Sequence, residues 1–142
     1  MDDPNFKESI VLITEHNENG AMGFVINQLL ERPSNALVEF SNSPAFPLHS
    51  GGPVDKEHLF FIHQRPDIIP DGTKIIDNLY FGGDFKKAIV LIDNKALTSA
   101  DIKLFIGYCG WDNQELEEEV NEGSWKITDI NWDVVFAESP LL

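Results

Sequence analysis

One thiol, four histidines and a dense set of carboxylates are the groups in this chain able to transfer protons or attack an electrophile. Cys109 stands between Gly107 and Gly110 after an apolar run, at a glycine turn of the kind that can present a nucleophile. A thiol reacts as its thiolate, which needs a cation or a helix N-terminus beside it. No basic residue is near in sequence. Asp112, Glu115 and Glu117 follow, and their charge disfavours the thiolate. An inert thiol is the simpler reading. His16 beside Glu15 has the composition of an acid–base pair. Its setting, His16-Asn17-Glu18-Asn19-Gly20, equally suits a histidine that fixes a turn by hydrogen bonds, which is the reading preferred. His58 and His63 fall on opposite faces of a strand and cannot chelate one metal together. Neither Gly-x-Ser-x-Gly nor His-Glu-x-x-His occurs. Glu117-Glu118-Glu119 reads as a solvated helix face. No cofactor and no metal site is expected.

These groups are placed by elements that the pattern predicts. Residues 9–27 read as an antiparallel hairpin, with β-branched residues in 9–15 and Asn19-Gly20 as the turn dipeptide. Leu29 to Pro33 leaves the sheet, and Ser34 caps a short helix over 34–40. Gly51-Gly52-Pro53 reads as a plain turn. Its amides suit an anion, but no phosphate-loop Lys-Ser/Thr follows. Residues 58–63 form a buried-type strand. Residues 73–77 and 79–81 are short strands joined at Asp77-Asn78. Phe85, Ala88, Ile89 and Ile92 have helical spacing behind Asp84 as cap. Ile102, Leu104 and Ile106 alternate with Lys103 and Phe105 in a strand expected to end in a sharp bend at Gly107–Gly110. Asp112 and Glu115 have capping-box spacing for the next helix. That helix puts Leu116 and Val120 on one face, points Glu118, Glu119 and Glu122 to water, and ends at Gly123. Ile127 and Ile130 suggest a short strand, and 131–136 a helical turn.

A chain of 142 residues, 42% apolar and 11% aromatic, is expected to be one domain (1–142) with a proper core. A single cysteine excludes an internal disulfide and fits a reducing compartment. With no long apolar run and no signal pattern, the expected place is the cytoplasm, off the membrane. The net charge is −14, from 24 acids and 10 bases. Residues 112–138 hold nine acids and one base, Lys126. Such a surface repels a phosphate backbone, so direct nucleic-acid binding is disfavoured. Hairpins, mixed strands and short helices without βαβ alternation argue for α+β.

Gly107-Tyr108-Cys109-Gly110-Trp111, then Gln114-Glu115-Leu116-Glu117 and Trp125, resembles the signature of the YqgE/AlgH family. Asp3-Pro4-Asn5-Phe6, Glu15-His16-Asn17, the run from Gly20 to Asn27, and Gly51-Gly52-Pro53-Val54 extend the likeness over nearly the whole chain. Cys109 stands where the family usually has Ala, and Glu115 is inserted between Gln and Leu. Family members usually carry a further strand before Asp-Pro-x-Phe and a helix after Phe136, so the chain is short at both ends against that pattern. The resemblance implies a mixed, bent sheet, partly barrel-like, around a few short helices. It also implies a transcriptional regulator, the label the family often carries. The expected function is a non-enzymatic domain that binds a protein partner or a small-molecule ligand without direct DNA contact. The alternative is an enzyme whose pocket lies around the 16–20, 50–54 and 107–112 turns. The candidate pocket is His16, Asn17, Gly51, Gly52, Tyr108, Gly110 and Trp111.

Overall fold

A computed structural model describes residues 9–30, 46–130 and 135–136. The predicted helix over 34–40 lies outside them, as does most of the predicted turn at 131–136. The described residues form one mixed sheet with two short helices, an α+β arrangement in which the sheet bends until it is nearly closed.

The expected hairpin is present as β1 (Val11–Asn17) and β2 (Gly20–Val25), paired antiparallel with Asn17 opposite Gly20. After β2 the chain keeps touching the sheet through Leu30, the last described residue of the 29–33 segment expected to leave it. Leu29 bridges His49, and Leu30 N–H donates to the Leu48 carbonyl at 2.8 Å. β3 (Leu48–Ser50) and β4 (Val54–His63) follow. β5 (Thr73–Ile76) and β6 (Leu79–Phe81) make the predicted small hairpin. α1 (Phe85–Asp93) starts as the spacing predicts, with Asp84 Oδ1 accepting from Lys87 N–H at 3.1 Å. That bond satisfies one of the amides left open at a helix start. Ala88 and Ile92, four apart on one helix face, are the residues it buries.

β7 (Ile102–Trp111) is the centre of the sheet. Along one edge it pairs antiparallel with β4. Along the other, Leu104–Ile106 pair parallel with β3, and Cys109–Trp111 pair antiparallel with β2. The predicted bend at Gly107–Gly110 is therefore corrected: the strand runs through to Trp111. Gly107 sits at φ +78, a conformation that side chains disfavour, and takes up the local kink. The change of neighbour happens there without a break in pairing.

Apolar side chains cover both faces of this sheet. Leu48, Phe61, Ile102, Leu104 and Ile106 pack against Ala88 and Ile92 of α1. Phe24, Ile26, Ile62, Leu79 and Phe105 form a second cluster that includes Val135. Phe24 is fully buried and stacks on Phe105 with ring centres 4.6 Å apart. Ala21, Val25, Cys109 and Trp111 form a third, joined by Leu116 and Trp125.

The last helix is α2 (Glu115–Asn121). Its cap differs from the expected box. Gln114, not Asp112, holds the N-cap position, in a left-handed conformation and with no side-chain bond to the helix. The reciprocal half does form: Glu115 Oε1 accepts from Asp112 N–H at 3.2 Å. The physical reason is that β7 reaches Trp111, so the chain needs residues 112–114 to turn before a helix can begin. Gly123 follows at φ +85, as a helix-ending glycine should. The expected strand at Ile127 and Ile130 is absent, and Ile127 is 78% exposed while Ile130 packs on the second cluster. A spacing of three puts two residues on opposite faces of a strand, so that pair never defined one buried face.

Candidate functional site

The three turns singled out by sequence do meet, and they meet through backbone. A Cβ added to Gly51 would lie 2.4 Å from the Gly107 carbonyl oxygen. One added to Gly107 would lie 2.4 Å from the Gly52 carbonyl oxygen, and one on Gly20 would lie 2.1 Å from that of Trp111. Gly51 is also bonded on both sides. Its N–H donates to Ile106 O, and its carbonyl accepts from Val25 N–H, each at 2.9 Å. The Gly-Gly-Pro segment is thus wedged between β2 and β7. These glycines allow chains to cross at distances no side chain tolerates.

The side chains of the candidate set spread apart from that crossing. Cys109 and Trp111 share one face of β7 and are buried in the third cluster. Tyr108 and Gly110 share the other. The Tyr108 ring covers Gly110, meets Phe60 edge-on at 5.5 Å and stays half-buried. His16 and Asn17 are exposed at the hairpin end. His16 Nε2 lies 3.0 Å from Glu117 Oε1 and ties β1 to α2. Asn17 is bonded within its own turn, donating to Glu15 Oε1 and accepting from Asn19 N–H.

Cys109 is 6% exposed, and its thiol donates to the Gly51 carbonyl at 3.5 Å. Burial pushes its pKa up to about 11, so the thiol is neutral at physiological pH. Desolvation does this, not the nearby acids invoked from sequence.

Trp111 anchors α2. Glu119 Oε1 accepts from the Trp111 indole N–H at 3.3 Å and from that of Trp125 at 2.8 Å, while the two rings meet edge-on at 6.2 Å. Glu119 therefore does not point to water as expected: it lies on the Leu116–Val120 side of the helix and bridges two indoles. Glu119→Ala is expected to cost about 1–3 kcal/mol, the usual penalty for part-buried donors left unmatched. Glu119→Gln, which keeps an acceptor, should retain most of that. Denaturant melts followed by tryptophan emission check it, and an alanine variant within about 0.5 kcal/mol of the parent would sink the bridge as a stabilising feature.

Two buried bases escaped the sequence reading. Lys103 is 3% exposed, and its Nζ donates to Ile26 O at 2.7 Å and Val135 O at 2.9 Å. Burial lowers its pKa to about 8. The signal was a single cation inside Ile102-Lys103-Leu104-Phe105-Ile106, in a strand paired on both edges. His49 is 4% exposed, and nothing in its local sequence marks it. His63 is also buried, but fully engaged: Nε2 donates to Gly82 O at 3.0 Å and Nδ1 accepts from Arg65 N–H at 3.1 Å. Those bonds fix a neutral tautomer, and burial lowers its pKa. His58 is exposed and bonds Asp55, which holds its pKa up.

Among the described residues, no three of His, Cys, Asp and Glu come together in a group able to hold a metal ion. No helix among them is long and apolar enough to cross a membrane.

A bent mixed sheet organised on one glycine-kinked strand, with its signature residues spent on crossing backbones and anchoring a helix, defines the class: an α+β domain of the AlgH type. The chain belongs to the AlgH-like family, whose model matches residues 1–141. A UPF0301 protein of Parabacteroides distasonis is 40% identical over 139 residues, covering 96% of this chain and 70% of that one. Another from Cytophaga hutchinsonii is 38% identical over 141 residues, covering 99% and 78%. The solution structure of the AlgH protein from Pseudomonas aeruginosa is similar in fold, with TM-score 0.78 at 24% identity over 99% of this chain and 77% of that one.

Proposed function

We propose that this chain is a non-enzymatic binding domain of the cytoplasm. In this reading it works through a protein partner or a small-molecule ligand and takes part in transcriptional regulation without touching DNA. The observation that carries the reading is how the fold uses its signature. Gly20, Gly51, Gly52 and Gly107 are consumed by backbone crossings, and the one thiol is buried and neutral. The charge supports the second half. α2 carries Glu115, Glu117, Glu118 and Glu119 and no base, the opposite of a recognition helix. The enzyme alternative is favoured by one observation, the half-exposed Tyr108 ring above Gly110 where the turns meet.

The test is a thermal-shift screen against metabolites, nucleotides and divalent metals, beside gel shifts with duplex DNA at low salt. A ligand that binds only the folded state raises Tm with dose. Tyr108→Ala is the informative variant, because Trp111 is core and its loss would lower Tm by itself. The expected result is no DNA shift, with any ligand response lost in Tyr108→Ala. A salt-sensitive DNA shift would overturn the proposal, and turnover of a stabilising compound would transfer it to the enzyme reading.

A further inference from the structure

His49 is the polar group the fold handles least well. It lies in β3, opposite Phe105 in the parallel pairing with β7, and its ring centre is 6.0 Å from that of Phe105. Neither Nδ1 nor Nε2 has a hydrogen-bond partner among the described residues. The other three histidines differ: His63 is bonded at both nitrogens, while His16 and His58 are exposed beside carboxylates. The elements packed on His49 offer it no anion among the described residues. β7 presents Lys103, with apolar Leu104 and Phe105 beside it; β3 adds Leu48 and Ser50; the segment after β2 adds Leu29. A proton on His49 would put a second cation next to Lys103 in the core and make both ring nitrogens donors, with only the Leu104 backbone drawing on the charged form.

β3 is the strand least able to withstand that. It has three residues, and outside its pairing with β7 it is held by Leu30 N–H to Leu48 O and Ser50 N–H to Gln28 O, both at 2.8 Å. It leads directly into the Gly51–Gly52 wedge. We propose that His49 is an acid-operated release: when the imidazole takes a proton, β3 parts from β7 and the crossing of Gly51 and Gly52 over Gly107 opens. Burial first, then the Lys103 charge, against a smaller opposing pull from the Leu104 backbone, set the ring's pKa at about 4. The closed form is thus neutral at His49 through the physiological range. An opened His49 titrates near its ordinary value, so acid favours the open form.

Cys109 is a built-in reporter, because its thiol is bonded to the Gly51 carbonyl and the chain has no other cysteine. The experiment labels Cys109 with a dipyridyl disulfide reagent as pH is lowered, in the parent and in His49→Phe, with tryptophan emission recorded alongside. Linkage predicts that the parent-to-variant ratio of labelling rates rises about 100-fold from pH 7 to pH 4, before the emission changes. A constant ratio overturns the proposal, as does emission that moves in step with labelling, which would make the opening global. Ring-nitrogen NMR of the parent needs no variant. Titration of His49 well below 6.5, at the same pH as the labelling rise, supports the release, whereas ordinary titration without a rise in labelling defeats it.

Discussion

Gly107→Ala is expected to lower stability by about 2–5 kcal/mol, the sum of a left-handed conformation forced on a side chain and overpacking against fixed backbone. The first part follows from φ +78. The second follows from the Gly52 carbonyl oxygen, 2.4 Å from where the methyl would sit. Neither can relax alone. Moving Gly52 drags Gly51, whose N–H and carbonyl are both committed to neighbouring strands. Gly110→Ala, three residues on, is the control. Its new Cβ would meet the Tyr108 ring edge at 3.3 Å, and an exposed position lets that ring swing aside. Its expected cost is under about 1 kcal/mol. Urea melts of the two variants settle the matter: equal losses would mean that Gly107 is not where the sheet changes neighbours.

Lys103→Ala is expected to cost about 3 kcal/mol at neutral pH, through the space left and the loss of a donor shared by two buried carbonyls. Lys103→Met keeps the stem and sheds a desolvated charge, so it should cost roughly half as much. The pH dependence is the sharper test. Burial brings the folded pKa from 10.5 down to about 8. Between those values the unfolded chain binds more protons than the folded one, so this group adds stability as pH rises from 8 to 10.5, by about 3 kcal/mol. Below pH 8 both states are protonated and the slope vanishes. Cys109 acts with the opposite sign, because its pKa is raised from 9.0 to about 11 and its unfolded form loses the proton first. The quantity to measure is therefore the difference between parent and Lys103→Met across alkaline pH. A difference that does not change with pH would mean that Lys103 titrates normally and is not held in the core.

The hairpin was legible because Asn19-Gly20 and the β-branched run are local signals, and α1 because Asp84 and the Phe85–Ile92 spacing agree. The family was legible from its glycine and tryptophan blocks. What those glycines do was not. Gly51 and Gly107 each read as a local turn, but the fact that explains them is their contact, and no window of sequence contains both. Glu119 was misplaced for the same reason: its partners Trp111 and Trp125 lie outside the helix that its charge pattern describes. Lys103 was assigned to a face by alternation, which was correct, but a strand paired on both edges and covered on both faces leaves no side open to water.

β7 also sets a timetable. β2, β3 and β4 all take it as a neighbour, yet they are encoded well before it. During synthesis these strands emerge with their shared partner still untranslated, and local hairpins are all they can form. Closure waits on residues 102–111, the last strand among the described residues to leave the ribosome, so the fold arrives late and from distant pairings, a slow route that keeps unpaired strand exposed meanwhile.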